Sequence, residues 1–157
     1  MPAQRAHIAN VVEAKLYPGV GTARLLPRPK LDPPRELLEG EVSVAMICAP
    51  AGYGKSTVMA RWHEVLRKQG IARAWLSLDQ DDNDSTRFLR HLVAAFQGIR
   101  RGIGRDVLAQ LTGTSIGDIK PLLESLAADL GRVQTRAALF LDDLHFATRP
   151  EALEIVH

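Results

Sequence analysis

Residues 42–57 read VSVAMICAPAGYGKST, and they restrict the chain more than any other stretch. Val42 to Cys48 is an apolar run containing β-branched residues. It stops at Ala49-Pro50-Ala51-Gly52-Tyr53-Gly54-Lys55-Ser56, and a helix-period pattern follows at once. The order is strand, glycine-containing loop, helix, with Gly-Lys-Ser at the junction of loop and helix. An apolar run without alternation suits a strand covered on both faces. Residues 42–48 are therefore expected at the centre of a parallel sheet, with helices on either side. Cys48, the only cysteine, is then expected to be a small reduced core residue.

The loop chemistry follows from this order. A loop closing round a phosphate must bring backbone N–H groups within reach of its oxygens. Glycines at 52 and 54 permit positive φ and leave no Cβ in the way. The first helical turn adds unpaired N–H donors and the positive end of the helix dipole. Lys55 reaches the β- and γ-phosphates, the Ser56 hydroxyl ligates Mg²⁺, and Thr57 adds a contact to the α-phosphate. The expected nucleotide cradle is thus Ala49, Pro50, Ala51, Gly52, Tyr53, Gly54, Lys55, Ser56 and Thr57, with ATP and Mg²⁺ as its ligands. The first motif position is Ala49 rather than Gly. Even so relaxed, the pattern arises by chance in roughly 1% of chains of this length. The flanking strand and helix lower that further.

Composition bounds the rest. At 157 residues the chain is one domain or less. With 46% hydrophobic and 24% charged residues it can bury an ordinary globular core. A net charge of +2 gives no sign of a nucleic-acid-binding surface. No apolar run approaches ~18 residues and no secretory signal opens the chain, so a cytoplasmic location without a membrane partner is expected.

Residues 1–34 read as an extended lead-in, with a short helix between His7 and Leu16 and a proline-rich part at 24–34. Residues 35–157 read as the phosphate-loop domain. Arg35 opens a helical turn or two, and either approaches a bound nucleotide or is simply exposed. After the loop, Val58, Met59, Trp62, Val65 and Leu66 recur at helical spacing up to Gly70, with His63 off that stripe and solvated. Ala72–Leu78 is a second strand. The acidic run 79–84 lacks the glycine of a calcium loop and reads better as a polar loop, Asp84 or Ser85 capping the next helix. That helix, about 86–99, buries Phe88, Leu89, Leu92, Val93, Phe96 and Ile99, with His91 at the solvated edge. Glycine-rich 97–105 reads as a flexible connection. A short helix at 107–111 and a longer one capped by Asp118 follow.

Residues 137–141 form a third strand, closed by Asp142 and Asp143. In an α/β sheet, ligands bind beyond the carboxyl ends of the strands, where the phosphate loop also lies. Asp142 would hold Mg²⁺ through water, and Asp143 would polarise the attacking water as general base. Thr148 to Glu151 is a capping box opening a last helix. Strands alternating with helices imply an α/β three-layer sandwich with a parallel central sheet. Three strands are legible where such a sheet has about five, so the sheet is expected to be incomplete on its C-terminal side.

RLLPRPKL, ICAPAGYGKST, AWLSLDQDDND followed by RFLRHLVAAF, and LFLDDLH together resemble the large ATP-binding LuxR-type transcriptional regulators of the maltose-operon-activator kind. These belong to the STAND class of P-loop ATPases. The resemblance covers about residues 24–157. It implies a nucleotide switch with slow hydrolysis, self-association through the ATPase domain, and promoter DNA bound only through a domain outside this chain. It assigns Lys55 and Ser56 to phosphate and Mg²⁺, Asp142 to Mg²⁺, Asp143 to the second acidic position, and Arg35 to the arginine preceding the core. Other readings are a stand-alone AAA+-like ATPase and a nucleotide-binding interaction module without turnover. An ABC ATPase would carry Leu-Ser-Gly-Gly-Gln, which does not occur here. A small-molecule kinase would need an arginine-rich lid, for which Arg100, Arg101 and Arg105 are poor candidates.

Overall fold

The computed structural model describes residues 8, 10–19, 29–112 and 118–156. The proline-rich residues 24–28, and His7 and Ala9 of the expected first helix, lie outside this set. The chain is α/β. Among the described residues the sheet has two parallel strands, β1 (Ala72–Ser77) and β2 (Ala137–Asp142). They pair in register from Ala72 opposite Ala137 to Ser77 opposite Asp142. Between them the chain runs through α3 (Ser85–Gln97), α4 (Arg105–Gln110) and α5 (Lys120–Gly131). Before β1 come α1 (Arg35–Glu39) and α2 (Lys55–Lys68), and after β2 comes α6 (Pro150–Glu154).

Alternation along the strands sets the layers. Trp75 and Phe140 point to one face and pack with Ala60 and Leu66 of α2. Ala74 and Leu76 point to the other face, into a larger core with Phe88, Leu89, Leu92 and Val93 of α3 and Leu122 and Leu126 of α5. The sheet is thus covered on both sides, compatible with part of a phosphate-loop fold. Asp84 caps α3, its carboxylate accepting the Arg87 N–H at 2.8 Å. Among the described residues no helix is long and apolar enough to cross a membrane.

The expected central strand is not one. Residues 42–48 have no ladder partner among the described residues. Val44 and Met46 are 78% and 76% exposed, and Cys48 is exposed rather than in the core. Apolar, β-branched composition marks a segment that fits a sheet, but only a neighbouring backbone makes it a strand. The helices flanking this segment, α1 and α2, nonetheless meet the residue before β2 and the last residue of β2. Ahead of β2, the Arg136 guanidinium donates to the carbonyls of Leu38 at 2.6 Å and Leu37 at 3.2 Å. At the far end of β2, Asp142 meets Ser56.

Smaller expectations also change. The 97–105 connection is a fastened turn: Ile103 is buried, Gln97 donates to its carbonyl, and the Gly104 N–H donates to Asp129 Oδ2 at 2.8 Å. Gly104 has φ +67, and a Cβ there would meet both Val93 methyls at 2.7 Å. Thr148 makes no capping box, because its N–H and hydroxyl go to Asn83 Oδ1 instead. His63 is half-buried between Trp75 and Phe140 rather than solvated.

His91 is fully buried, not at a solvated edge. The Val12 N–H donates to its Nε2 at 3.2 Å, so Nδ1 must carry the proton, which it donates to Asp82 Oδ1 at 2.8 Å. Lys15, in a 3₁₀ turn at Glu13–Leu16, donates to Asp82 Oδ2 at 2.5 Å and pairs with Asp79 at 2.7 Å. Burial alone would raise the Asp82 carboxyl. Hydrogen bonds from His91, Lys15 and the Asp79 N–H outweigh it and hold the carboxyl at about 2. The acidic run is therefore neither a metal loop nor a merely polar one. It clips the N-terminal segment onto the core.

Candidate functional site

The Ala49–Gly54 loop lies at the carboxyl end of β2 and leads directly into α2. Gly52 and Gly54 have φ +82 and +81, and Gly54 serves as the left-handed N-cap of α2. Around Gly52 nothing lies within 4 Å of where a Cβ would stand, so its glycine is required by backbone angle rather than by space. The Lys55 ammonium folds back across the loop, donating to the carbonyls of Ala49 at 2.8 Å and Pro50 at 3.1 Å. Tyr53 is exposed, and Thr57 lies in the first turn of α2, half-buried.

Ser56 Oγ donates to Asp142 Oδ1 at 3.1 Å, across 86 positions of sequence. Asp142 is only 7% exposed, and the same oxygen accepts the Asp143 N–H at 3.0 Å. A serine hydroxyl and a buried carboxylate at this spacing are a donor set that suits Mg²⁺. That ion takes one or two protein oxygens and fills its octahedron with water and phosphate oxygens. Among the described residues no three His, Cys, Asp or Glu side chains group to hold a metal on their own, so this is not an all-protein cage.

Asp143 has φ +58, ψ +35, a left-handed conformation in a residue that is not glycine. Its carboxylate, 44% exposed, lies 3.8 Å from His145 Nδ1, and the His145 ring leans on Phe146 with centroids 4.2 Å apart. The turn sends the Asp143 side chain into solvent beside the loop while Asp142 faces inward.

Arg35 is not brought here. Its guanidinium pairs with Glu39 at 2.6 Å within α1, whose carbonyls are held by Arg136 at the amino end of β2. A six-residue strand spans roughly 20 Å, so the two ends of β2 are well separated. Asp82, Asn83 and His91 make contacts that the polar-loop reading of 79–84 and the solvated-edge reading of His91 do not give them, and Lys15 has no assigned role in the sequence. The Leu78-Asp79-x-x-Asp82-Asn83 stretch was the available signal, because acidic residues directly after a buried strand must find donors or solvent.

No family model matches the chain. It is 33% identical over 135 residues to the serine/threonine-protein kinase PknK of Mycobacterium tuberculosis, strains CDC 1551 / Oshkosh and H37Rv, and equally to PknK of Mycobacterium bovis. The match takes in 83% of this chain and 12% of each relative. The chain is thus similar to one stretch of a much longer bacterial protein.

Proposed function

We propose that this chain is the nucleotide-binding switch module of a large regulatory protein, taking Mg-ATP in the 49–57 loop and hydrolysing it slowly. The observation that carries the reading is the 3.1 Å contact between Ser56 and Asp142. It joins the start of the loop's helix to the buried last residue of β2, where a Mg²⁺-bound triphosphate would lie. When bound, Mg²⁺ would neutralise charge on the phosphates. Ser56 and Asp142 would hold it, while the loop amides and Lys55 grip the phosphate oxygens. Lys55 would exchange two carbonyl acceptors for phosphate. Asp143 would orient a water from the solvent side.

The likeness to a much longer relative supports the role of a module within a multidomain regulator. The chain contains neither His-Arg-Asp nor Asp-Phe-Gly, so the phosphoryl transfer in that relative's name is not assigned to this stretch. Membership of the LuxR-type STAND ATPases, self-association, and promoter binding through another domain complete the proposal, and all three rest on the sequence resemblance. The chain itself should bind DNA no better than a neutral control.

Nucleotide titration tests the reading. Wild type should bind Mg-ATP, and Lys55→Ala should bind it at least about 10- to 100-fold more weakly, the worth of a charged hydrogen bond. Equal affinity in both proteins would refute the phosphate loop. Asp143→Asn should keep affinity while slowing a single turnover. An unchanged rate would remove Asp143 from the chemistry and leave a binding module without its proposed base.

A further inference from the structure

We propose that Asn83 is a positioning residue for the Asp142–Asp143 turn, acting by holding the 146–149 backbone with its carboxamide. The inference rests on the Mg²⁺ role proposed for Asp142.

Asn83 ends the 3₁₀ turn Gln80–Asn83 that follows β1. Its Nδ2 donates to the Phe146 carbonyl at 2.7 Å and to the Gln80 carbonyl at 3.2 Å. Its Oδ1 accepts from the Thr148 N–H at 2.9 Å, the Arg149 N–H at 3.1 Å and the Thr148 hydroxyl at 3.3 Å. Both donor hydrogens and both acceptor lone pairs are thereby used, and all but the Gln80 bond reach the loop after β2. A group that donates to one carbonyl and accepts two successive amides must be a carboxamide. A carboxylate lacks the donor and a hydroxyl lacks the span.

The base of this clamp is itself fixed. The preceding residue, Asp82, is fully buried and is held by Lys15, His91 and the Asp79 N–H. The far end of the loop is fixed by Ser56 and the Asp143 N–H, both on Asp142 Oδ1. Between the two fixed ends lie only Asp143, in its left-handed turn, and the short 3₁₀ turn Leu144–Phe146, closed by the Phe146 N–H on the Asp143 carbonyl at 3.0 Å. A non-glycine residue stays left-handed only when its surroundings over-determine it. Asn83 supplies that constraint from the turn after the neighbouring strand β1, so it sets how the Asp142 carboxylate and the Asp143 side chain are presented.

The test uses the 157-residue chain as wild type, Asn83→Ala and Asn83→Asp, with Lys55→Ala as control. Amide hydrogen exchange is read at Thr148 and Arg149, and ATP affinity is read with Mg²⁺ and again in EDTA. Asn83→Ala should speed exchange at both amides and shrink the Mg²⁺-dependent gain in affinity, each by about tenfold, while affinity in EDTA stays within about twofold. Asn83→Asp keeps the acceptor and should recover protection at Thr148 and Arg149 and part of the Mg²⁺ gain. Faster exchange with an undiminished Mg²⁺ gain would leave Asn83 a merely structural clamp and overturn the inference. So would equal losses with Mg²⁺ and in EDTA, which report general loosening. If wild type and Lys55→Ala bind ATP alike, the phosphate loop itself fails and Asn83 falls with it. That result is separable, because it appears without any change at Asn83.

Discussion

The His63 ring sits edge-on to Trp75 and Phe140, with centroids 5.9 Å and 5.4 Å away. Burial there, and then the Arg73 guanidinium, push its pKa down to about 4. The unfolded imidazole keeps a value near 6.5. Between those two values the unfolded chain binds the proton and the folded chain does not. The contribution of this group is therefore complete above about pH 6.5 and is lost as pH falls towards 4. His63→Phe keeps an aromatic ring in the same slot without the titration. Its melting temperature should fall less than that of wild type between pH 7 and pH 4, and parallel curves would show that His63 does not set the slope. Asp82 has the same sense in a lower pH window. Its folded carboxyl, at about 2, lies below its unfolded value, so its stabilisation is present above about pH 4 and fades as pH drops towards 2. Asp82→Ala leaves the buried His91 without its carboxylate and Lys15 with Asp79 alone, and should cost about 3–5 kcal/mol in a urea titration. A loss below about 1 kcal/mol would mean that water replaces the carboxylate. Neither histidine was legible in the sequence. A helical stripe identifies apolar neighbours, and a histidine one position off it is buried only if a second element, here an aromatic pair or a carboxylate, comes to meet it.

At the scale of elements, helices were easier to read than strands. The α3 stripe from Phe88 to Phe96 is buried as its spacing requires, because a helix satisfies its own backbone and needs only a face to cover. β1 and β2 were legible from short apolar runs ending in aspartates. The 42–48 run has the same composition and no ladder, because strand pairing is a property of two segments and its composition describes one. The loop it feeds was still legible, since Gly52, Gly54, Lys55 and Ser56 are dictated locally by backbone angle and helix start. The contact of Ser56 with Asp142 was foreseen only as a convergence at the strands' carboxyl ends. The exposed 42–48 segment makes its own prediction. Val44→Asp in this chain should shift stability by no more than about 0.5 kcal/mol, the range for surface positions. A central strand buried on both faces would lose several times that, and such a loss in the urea midpoint would return 42–48 to the core.

Across the whole molecule the two faces of the sheet are unequal. α2 buries only Ala60 and Leu66, whereas α3 buries eight residues in a core shared with α4, α5 and the N-terminal segment. The thin face carries the phosphate loop, and Lys55 and Ser56 open its helix. Segments with few buried apolar contacts open at lower free energy than the rest, and binding elements are drawn from that end of the range. Amides of α2 between Ala60 and Leu66 should therefore exchange at least about tenfold faster than those of α3 between Phe88 and Phe96 at the same pH. Rates within about threefold of each other would instead mark one cooperative unit. Mg-ATP should act on this asymmetry. Ligand at 100 times its Kd stabilises the bound state by about 2.7 kcal/mol, enough to slow α2 exchange up to about a hundredfold where opening breaks the site. Because α3 opens without disturbing the loop except in global unfolding, the gap between α2 and α3 should narrow. In Lys55→Ala it should not. A ligand effect equal on both helices would place the weakest opening of the molecule somewhere other than the helix that receives the phosphates.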